Sequence, residues 1–229
     1  GKEARYALLL ALAEFRLSEV PENRRPLVLK QVRDWYATDP SSGVHGASHW
    51  LLRQWGERAY VKQIDETPVA PSKDREWFTL AVKVKPEATS SQLRNSPTSN
   101  SPKPTMFYYT FVVFPAGEYT IGSPDDEPGR DKDEVRHRVR LTRPFAILNR
   151  EVTFAELIAF NHALYEDFMG QMSQRPESTG SAVDWYDAVQ FSRWLGTQLN
   201  SPLSESDQAY ADPSSEASGE REPNKVASW

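Results

Sequence analysis

The sequence predicts an α+β protein in which helices come first and strands follow. Two observations carry that expectation. Over residues 1–60 the apolar side chains recur at spacings of three and four with no proline inside the runs, and from Arg75 onward they gather in strand-length runs of aromatic and β-branched residues. The chain has 229 residues, 38% of them apolar, with 7 Trp, 9 Tyr and 10 Phe, which is enough to build a core in one or two domains. The expected organisation is a helical repeat-like segment over 1–60, a linker over 61–74 and a mixed domain over 75–229.

A first helix is expected from Lys2 to Val20, with Tyr6, Leu8, Leu9, Leu10, Leu12, Phe15 and Leu17 surrounding nearly the whole cylinder, as in a helix covered by neighbours. Pro21 ends it. A second runs from Pro26 to Tyr36 on Leu27, Val28, Leu29, Val32 and Trp35. Asp39-Pro40-Ser41-Ser42-Gly43 then offers turn and capping chemistry to a third helix, Val44 to Trp55, which Gly56 stops.

The strands begin with Trp77–Val84 and continue with Met106–Phe114. Between them, 13 of the 19 residues in 86–104 are Ser, Thr, Pro or Asn, too few apolar groups to offset ordering entropy, so a mobile insertion is expected. An acidic loop over 123–134 leads into a strand from Arg136 to Leu141. There His137, Val139 and Leu141 face one way and Arg136, Arg138 and Arg140 the other. Helices are expected after Glu151-Val152-Thr153 and within 183–199, where Trp185, Ala188, Phe191, Trp194 and Leu195 should pack beneath Phe145, Ile147 and Phe160. A tail over 200–229, rich in Ser, Glu, Pro and Asp, reads as a surface loop or disorder.

Several of these segments fall in one recognisable order: Phe111-Val-Val-Phe-Pro-Ala-Gly117-Glu-Tyr-Thr-Ile-Gly122-Ser, Glu134-x-x-His137-x-Val139-x-Leu141, Pro144-Phe145, Glu151-Val152-Thr153, and Val183-Asp-Trp185-Tyr-Asp187-Ala188 followed by Trp194. Over about residues 75–199 the chain resembles the formylglycine-generating enzyme (sulfatase-modifying factor) family. The resemblance implies the leading part of a C-type-lectin-like fold, with Gly117, Gly122, Glu134, His137, Glu151, Val152, Thr153, Trp185, Asp187 and Trp194 as structural motif positions. Over about 4–56 the helices look like HEAT-type repeats, as in bacterial multidomain proteins that sometimes carry a protein kinase. One and a half repeats would need further helices or a docking surface.

The resemblance also implies copper held by a cysteine pair and oxidation of a protein cysteine to formylglycine. This chain has no cysteine, and the family's Arg-Leu-Pro-Thr-Glu-x-Glu-Trp motif is absent. Soft thiolates are the ligands that suit monovalent copper. No catalytic or cofactor-binding residue is therefore assigned here, copper is expected only in a longer parent protein, and the sequence reads as a piece of one. The same zero excludes thiolate nucleophiles, disulfides and thiolate zinc sites. The charge balance of 27 against 32, net −5, gives nucleic acid no global attraction. Nothing is long or apolar enough to span a bilayer, the apolar run Tyr6–Ala13 is a poor signal peptide, and a cytoplasmic location is expected.

Five constellations stand out in the sequence. Asp125, Asp131, Asp133 and Glu134, with Asp126 and Glu127, concentrate carboxylates in one loop, the raw material of a calcium site without the EF-hand order. His45 and His49 stand four apart but lack a third ligand, so ordinary helix positions are the expectation. Arg136, Arg138 and Arg140 form a basic ladder that the preceding carboxylates are expected to neutralise. Ser192, His162 and Asp187 could be assembled into a hydrolase triad, but the sequence offers no nucleophile elbow. Gly117 and Gly122 read as turn glycines.

Two functional readings follow: part of a sulfatase-modifying-factor-like oxidase, or a non-catalytic module that binds a protein, peptide or small ligand. Tyr108 and Tyr109, read as exposed aromatics, favour the second. An iron oxidase of related fold would need histidines beyond His45 and His49.

Overall fold

A computed structural model describes residues 1–84, 105–161 and 175–199, together with 204, 208 and 210. The expected mobile insertion and most of the tail lie outside them. The chain packs as two compact units, Gly1–Val112 with Leu148–Arg150, and Val113–Ile147 with Glu151–Trp229. This division does not follow the segments read from sequence, because the first strand pair packs with the helices.

In the first unit, α1 (Lys2–Leu12), α2 (Arg25–Thr38), α3 (Ser42–Gln54) and α4 (Arg58–Asp65) precede β1 (Trp77–Val84) and β2 (Thr105–Phe114). The central helix is α3, which packs on α1, α2 and α4. Leu9, Val32, Tyr36, Val44, Ala47, Leu51, Leu52, Trp55 and Val61 form the core. Each fully buried aliphatic side chain there stabilises the fold by about 1.5–3 kcal/mol.

Helix α1 is shorter than its apolar run. It stops at Leu12, and a short 3₁₀ turn covers Leu17–Glu19. Side chains from elsewhere take the carbonyls that a longer helix would use: Trp55 Nε1 donates to Phe15 O at 3.0 Å, and Arg25 donates to Val20 O and Ser18 O at 2.8 and 2.6 Å. Nor is α1 covered all round, since Leu9 is buried while Tyr6, Leu8 and Leu10 are exposed. Helix α4 occupies part of the expected linker, and Val69 beyond it exchanges two backbone hydrogen bonds with Thr79.

Gly56 ends α3 in the left-handed region at φ +84°, with Glu57 N donating to Leu52 O, the closing pattern that glycine permits without a Cβ clash. The other end of α3 departs from expectation. Ser41 makes no side-chain cap; instead the Glu76 carboxylate accepts from Ser42 N at 3.0 Å and Ser42 Oγ at 3.2 Å.

β1 and β2 are antiparallel, registered Trp77↔Val112 through Val84↔Thr105, in a sheet ordered β1-β2-β5, where β5 is Phe145–Leu148. Directly opposed pairs hold this register: the buried Thr79 and Thr110 hydroxyls lie 2.9 Å apart, and Phe78 and Phe111 stack at 5.2 Å.

In the second unit, β3 (Gly117–Ile121) and β4 (His137–Leu141) form a separate two-stranded antiparallel sheet, Tyr119 opposite Val139. Helices α5 (Phe154–Phe160) and α6 (Trp185–Thr197) pack through Phe160, which meets Phe191 at 5.7 Å and Trp194 at 5.6 Å. Two expected contacts are replaced. Phe145 stacks on Phe114 at 5.2 Å, and Ile147 is half exposed. Trp185 and Ala188 lie on the solvent side of α6, whose buried stripe is Val189, Phe191 and Leu195.

Candidate functional site

Four of the family-type residues, Gly117, Gly122, Glu134 and His137, lie in the β3–β4 hairpin and its loop. Gly122 closes β3 at φ +92°, where an added Cβ would stand 2.5 Å from Val135 O and 2.9 Å from Arg136 Cα. Only a residue without a side chain lets the two strands meet there. Gly117, at the start of β3, has ordinary surroundings, with Tyr119 the nearest neighbour at 3.8 Å, so it is not a steric necessity of the same kind.

The acidic loop is locked from within. Ser123 Oγ donates to Glu134, Ser123 N donates to Glu134 O at 3.3 Å, and Arg130 donates to Ser123 O at 3.3 Å and Glu134 O at 3.2 Å. Arg130 also faces Asp125 at 3.5 Å. The carboxylates are spent on the loop's own structure or stand in solvent. Among the described residues no group of three or more His, Cys, Asp or Glu is placed to hold a metal ion. Asp125, Asp131, Asp133 and Glu134 are therefore not brought together as the calcium reading requires. Arg130 belongs to the segment Glu127-Pro-Gly-Arg130, which shares the family's order, but its part in locking the loop was not legible in the sequence.

His137 is exposed and donates from Nδ1 to Val135 O at 2.7 Å, fixing the backbone where the chain enters β4. Arg136, Arg138 and Arg140 are all exposed. Opposite Arg138 stands Thr120, and opposite Arg140 stands Glu118. Among the described residues none of the three arginines forms an ion pair within 4.0 Å, so Asp131, Asp133 and Glu134 do not neutralise them as expected.

Glu151, Val152 and Thr153 form a structural node with residues 176–180. Thr179 Oγ1 donates to Glu151 at 2.9 Å, Gly180 N donates to Val152 O at 2.8 Å, and Phe154 N donates to Ser178 O at 3.0 Å. Thr153 caps α5 with the buried Glu156: Glu156 N donates to Thr153 Oγ1, while Thr153 N donates back to the Glu156 carboxylate at 2.7 Å. Asp184 and Asp187 repeat that device on α6, Asp187 N donating to Asp184 at 2.8 Å. Asp187 thus braces a helix start. Ser192 Oγ donates to Ala188 O at 2.9 Å within its own helix, and His162 lies outside the described residues.

In the first unit His45 is a packed core side chain. It stacks between Tyr36 at 4.6 Å and Trp77 at 3.8 Å, and its Nδ1 donates to Tyr36 O at 2.8 Å. Burial pushes its pKa down to about 4. His49, also lowered chiefly by burial, lies 4.0 Å from Asp65. Tyr36 donates its hydroxyl to Asp65, and burial followed by that carboxylate pushes the phenol up. Tyr109 is fully buried, contrary to the exposed reading, and Tyr108 is half-buried.

A shallow groove of about 530 Å³ is lined by Arg25, Leu29, Lys30, Arg33 and Tyr60. Its cations are already used, Arg25 on backbone carbonyls, Lys30 on Asp34 and Arg33 on Glu57.

The residues of this chain do not fit the copper implied by the family resemblance, since they include no thiol. Among the described residues no helix is long and apolar enough to cross a membrane.

No curated protein matches the chain. Among solved structures, that of PvdO from Pseudomonas aeruginosa is similar, with 31% identity, a TM-score of 0.34, and coverage of 41% of this chain and 42% of that one. The chain thus spans less than half the length of that relative. The model of the sulfatase-modifying factor enzyme 1-like domain matches residues 96–217. That span starts after β1 and runs beyond α6, later at both ends than the motifs at 75–199, and it takes in the β3–β4 hairpin, the Thr153 node and α6. Covering more than half of the sequence, it shows that the chain belongs to the family of sulfatase-modifying factor enzyme 1-like domains.

Proposed function

We propose that this chain is the non-catalytic, partner-binding part of a sulfatase-modifying-factor-like protein, and that any oxidation of a cysteine to formylglycine resides in segments of a longer parent. One observation carries the reading: the family's domain is present while thiols are absent throughout the 229 residues. Family resemblance supports a C-type-lectin-like scaffold in a bacterial multidomain protein, and HEAT-like helices ahead of it, a cytoplasmic location and an attached signalling kinase belong to the same reading. Such scaffolds present recognition surfaces on short strands and loops, and here the exposed β3–β4 hairpin is the surface offered.

The test uses residues 1–229 loaded with copper and incubated in air with a cysteine-bearing peptide, with the product read by mass spectrometry. The expected outcome is no aldehyde product and no copper retained after desalting. Aldehyde formation by this chain would overturn the reading. The same assay on the longer parent then decides whether its remaining segments supply the oxidase.

A further inference from the structure

We propose that the outer edge of β4 receives an extended acidic segment of a partner protein, added as a third strand, with carboxylates at alternate positions meeting Arg136, Arg138 and Arg140. This rests on the binding-module reading above and names its partner by chemistry.

Backbone availability comes first. The β3–β4 sheet has two strands, so β4 pairs on one side only, and among the described residues no backbone hydrogen bond reaches residues 137–141 from any other element. An edge of this kind is a template for another strand unless something forbids pairing.

The second observation is charge. Alternate residues of a strand stand about 7 Å apart on one face, so Arg138 and Arg140, with Arg136 one residue ahead of the strand, make a regular row of positive charge. All three are exposed and without a carboxylate partner within 4.0 Å among the described residues, in a chain whose net charge is −5. The row selects its occupant. A second copy of β4 would set arginines against arginines, and like charges on adjoining strands repel, so self-pairing is opposed. A strand reading Glu-x-Glu-x-Glu satisfies both the edge and the row.

Geometry keeps the row in place. Gly122 packs its bare Cα against Val135 and Arg136, and His137 anchors to Val135 O, so the entry to β4 is fixed on both sides. On the other face of the strand Val139 and Leu141 are half-buried, which sets which residues face outward.

The experiment titrates residues 1–229 against a fluorescein-labelled nonapeptide alternating Glu with Thr and Val, read by anisotropy at low salt. A peptide of identical composition with its glutamates contiguous, and oligothymidylate, serve as comparisons. The alternating peptide should bind at least tenfold more tightly than either, and N-methylation of its outward amides should remove that advantage. Arg138→Glu/Arg140→Glu should abolish binding and gain affinity for an alternating Lys peptide, a reversal that a misfolded variant cannot show. Equal binding of the contiguous peptide or of oligothymidylate would reduce the row to a general polyanion attractor and overturn the proposal, as would no binding at all. None of these outcomes depends on whether the chain oxidises cysteine.

Discussion

Two glycines of one loop separate conformational from steric demand. Gly122 and Gly129 both hold positive φ, +92° and +83°, but an added Cβ at Gly122 would stand 2.5 Å from Val135 O, whereas at Gly129 nothing lies within 4 Å. An L-residue in this region costs about 1–2 kcal/mol for the backbone alone. Gly129→Ala should therefore destabilise the fold by about 1 kcal/mol, and Gly122→Ala by at least about 2 kcal/mol more, because the backbone of the neighbouring strand must also shift. Urea midpoints of the two variants check the order, and equal losses would refute the close approach. At this scale the sequence was half legible. It marked both Gly117 and Gly122 as turn glycines, but it could not say that only Gly122 has another strand's backbone against its Cα.

At the scale of the element, helix starts govern how the second unit is held. Thr153 and Asp184 each accept the N–H of the third helical residue. Replacing such a cap by alanine typically costs about 1 kcal/mol. Thr153→Ala should cost more than Asp187→Ala: it also removes the 2.8 Å hydrogen bond from the threonine hydroxyl to the buried Glu156, whereas Asp187 contributes a 3.3 Å bond at an exposed site. Chemical denaturation followed by circular dichroism would rank them, and the reverse order would show that the Glu156 carboxylate does not depend on this cap. Both helices could be placed from sequence, the first after Glu151-Val152-Thr153 and the second within 183–199. The end of α1 could not, since the groups that take its would-be carbonyls, Trp55 and Arg25, lie 40 residues from Phe15 and 5–7 residues from Val20 and Ser18. Nor could the cap of α3, which comes from Glu76. Local chemistry was legible, and contacts across the fold were not.

For the whole molecule, the buried stack of Tyr36, His45 and Trp77 makes stability depend on pH. Its folded-state pKa is lowered from 6.5 to about 4, first by burial, then by the charges of His49 and Arg75, against the opposing hydrogen bond to Tyr36 and the charge of Asp39. Between those two values the unfolded chain binds a proton that the folded chain refuses. Stability therefore falls as pH drops from about 6.5 to about 4, and this group contributes no further loss below that. That gap corresponds to at most roughly 3–4 kcal/mol. His49, lowered mainly by burial, adds loss of the same sign as pH falls below about 6.5. Glu76 acts lower down: burial alone would raise its carboxyl, but hydrogen bonds from Lys2 and Ser42 outweigh burial and hold it below 4.5, so its contribution is lost as pH falls through that lowered value. The two carboxyl and imidazole effects are thus separable by window. Urea midpoints measured from pH 7 to pH 4 should fall steadily, and His45→Phe should make that slope shallower between pH 6.5 and pH 4. The variant should also begin less stable at pH 7, by about 1–3 kcal/mol, because the buried Tyr36 carbonyl loses its donor. If His45→Phe kept the parent slope between pH 6.5 and pH 4, the stack of Tyr36, His45 and Trp77 would not be what makes acid unfold the first unit.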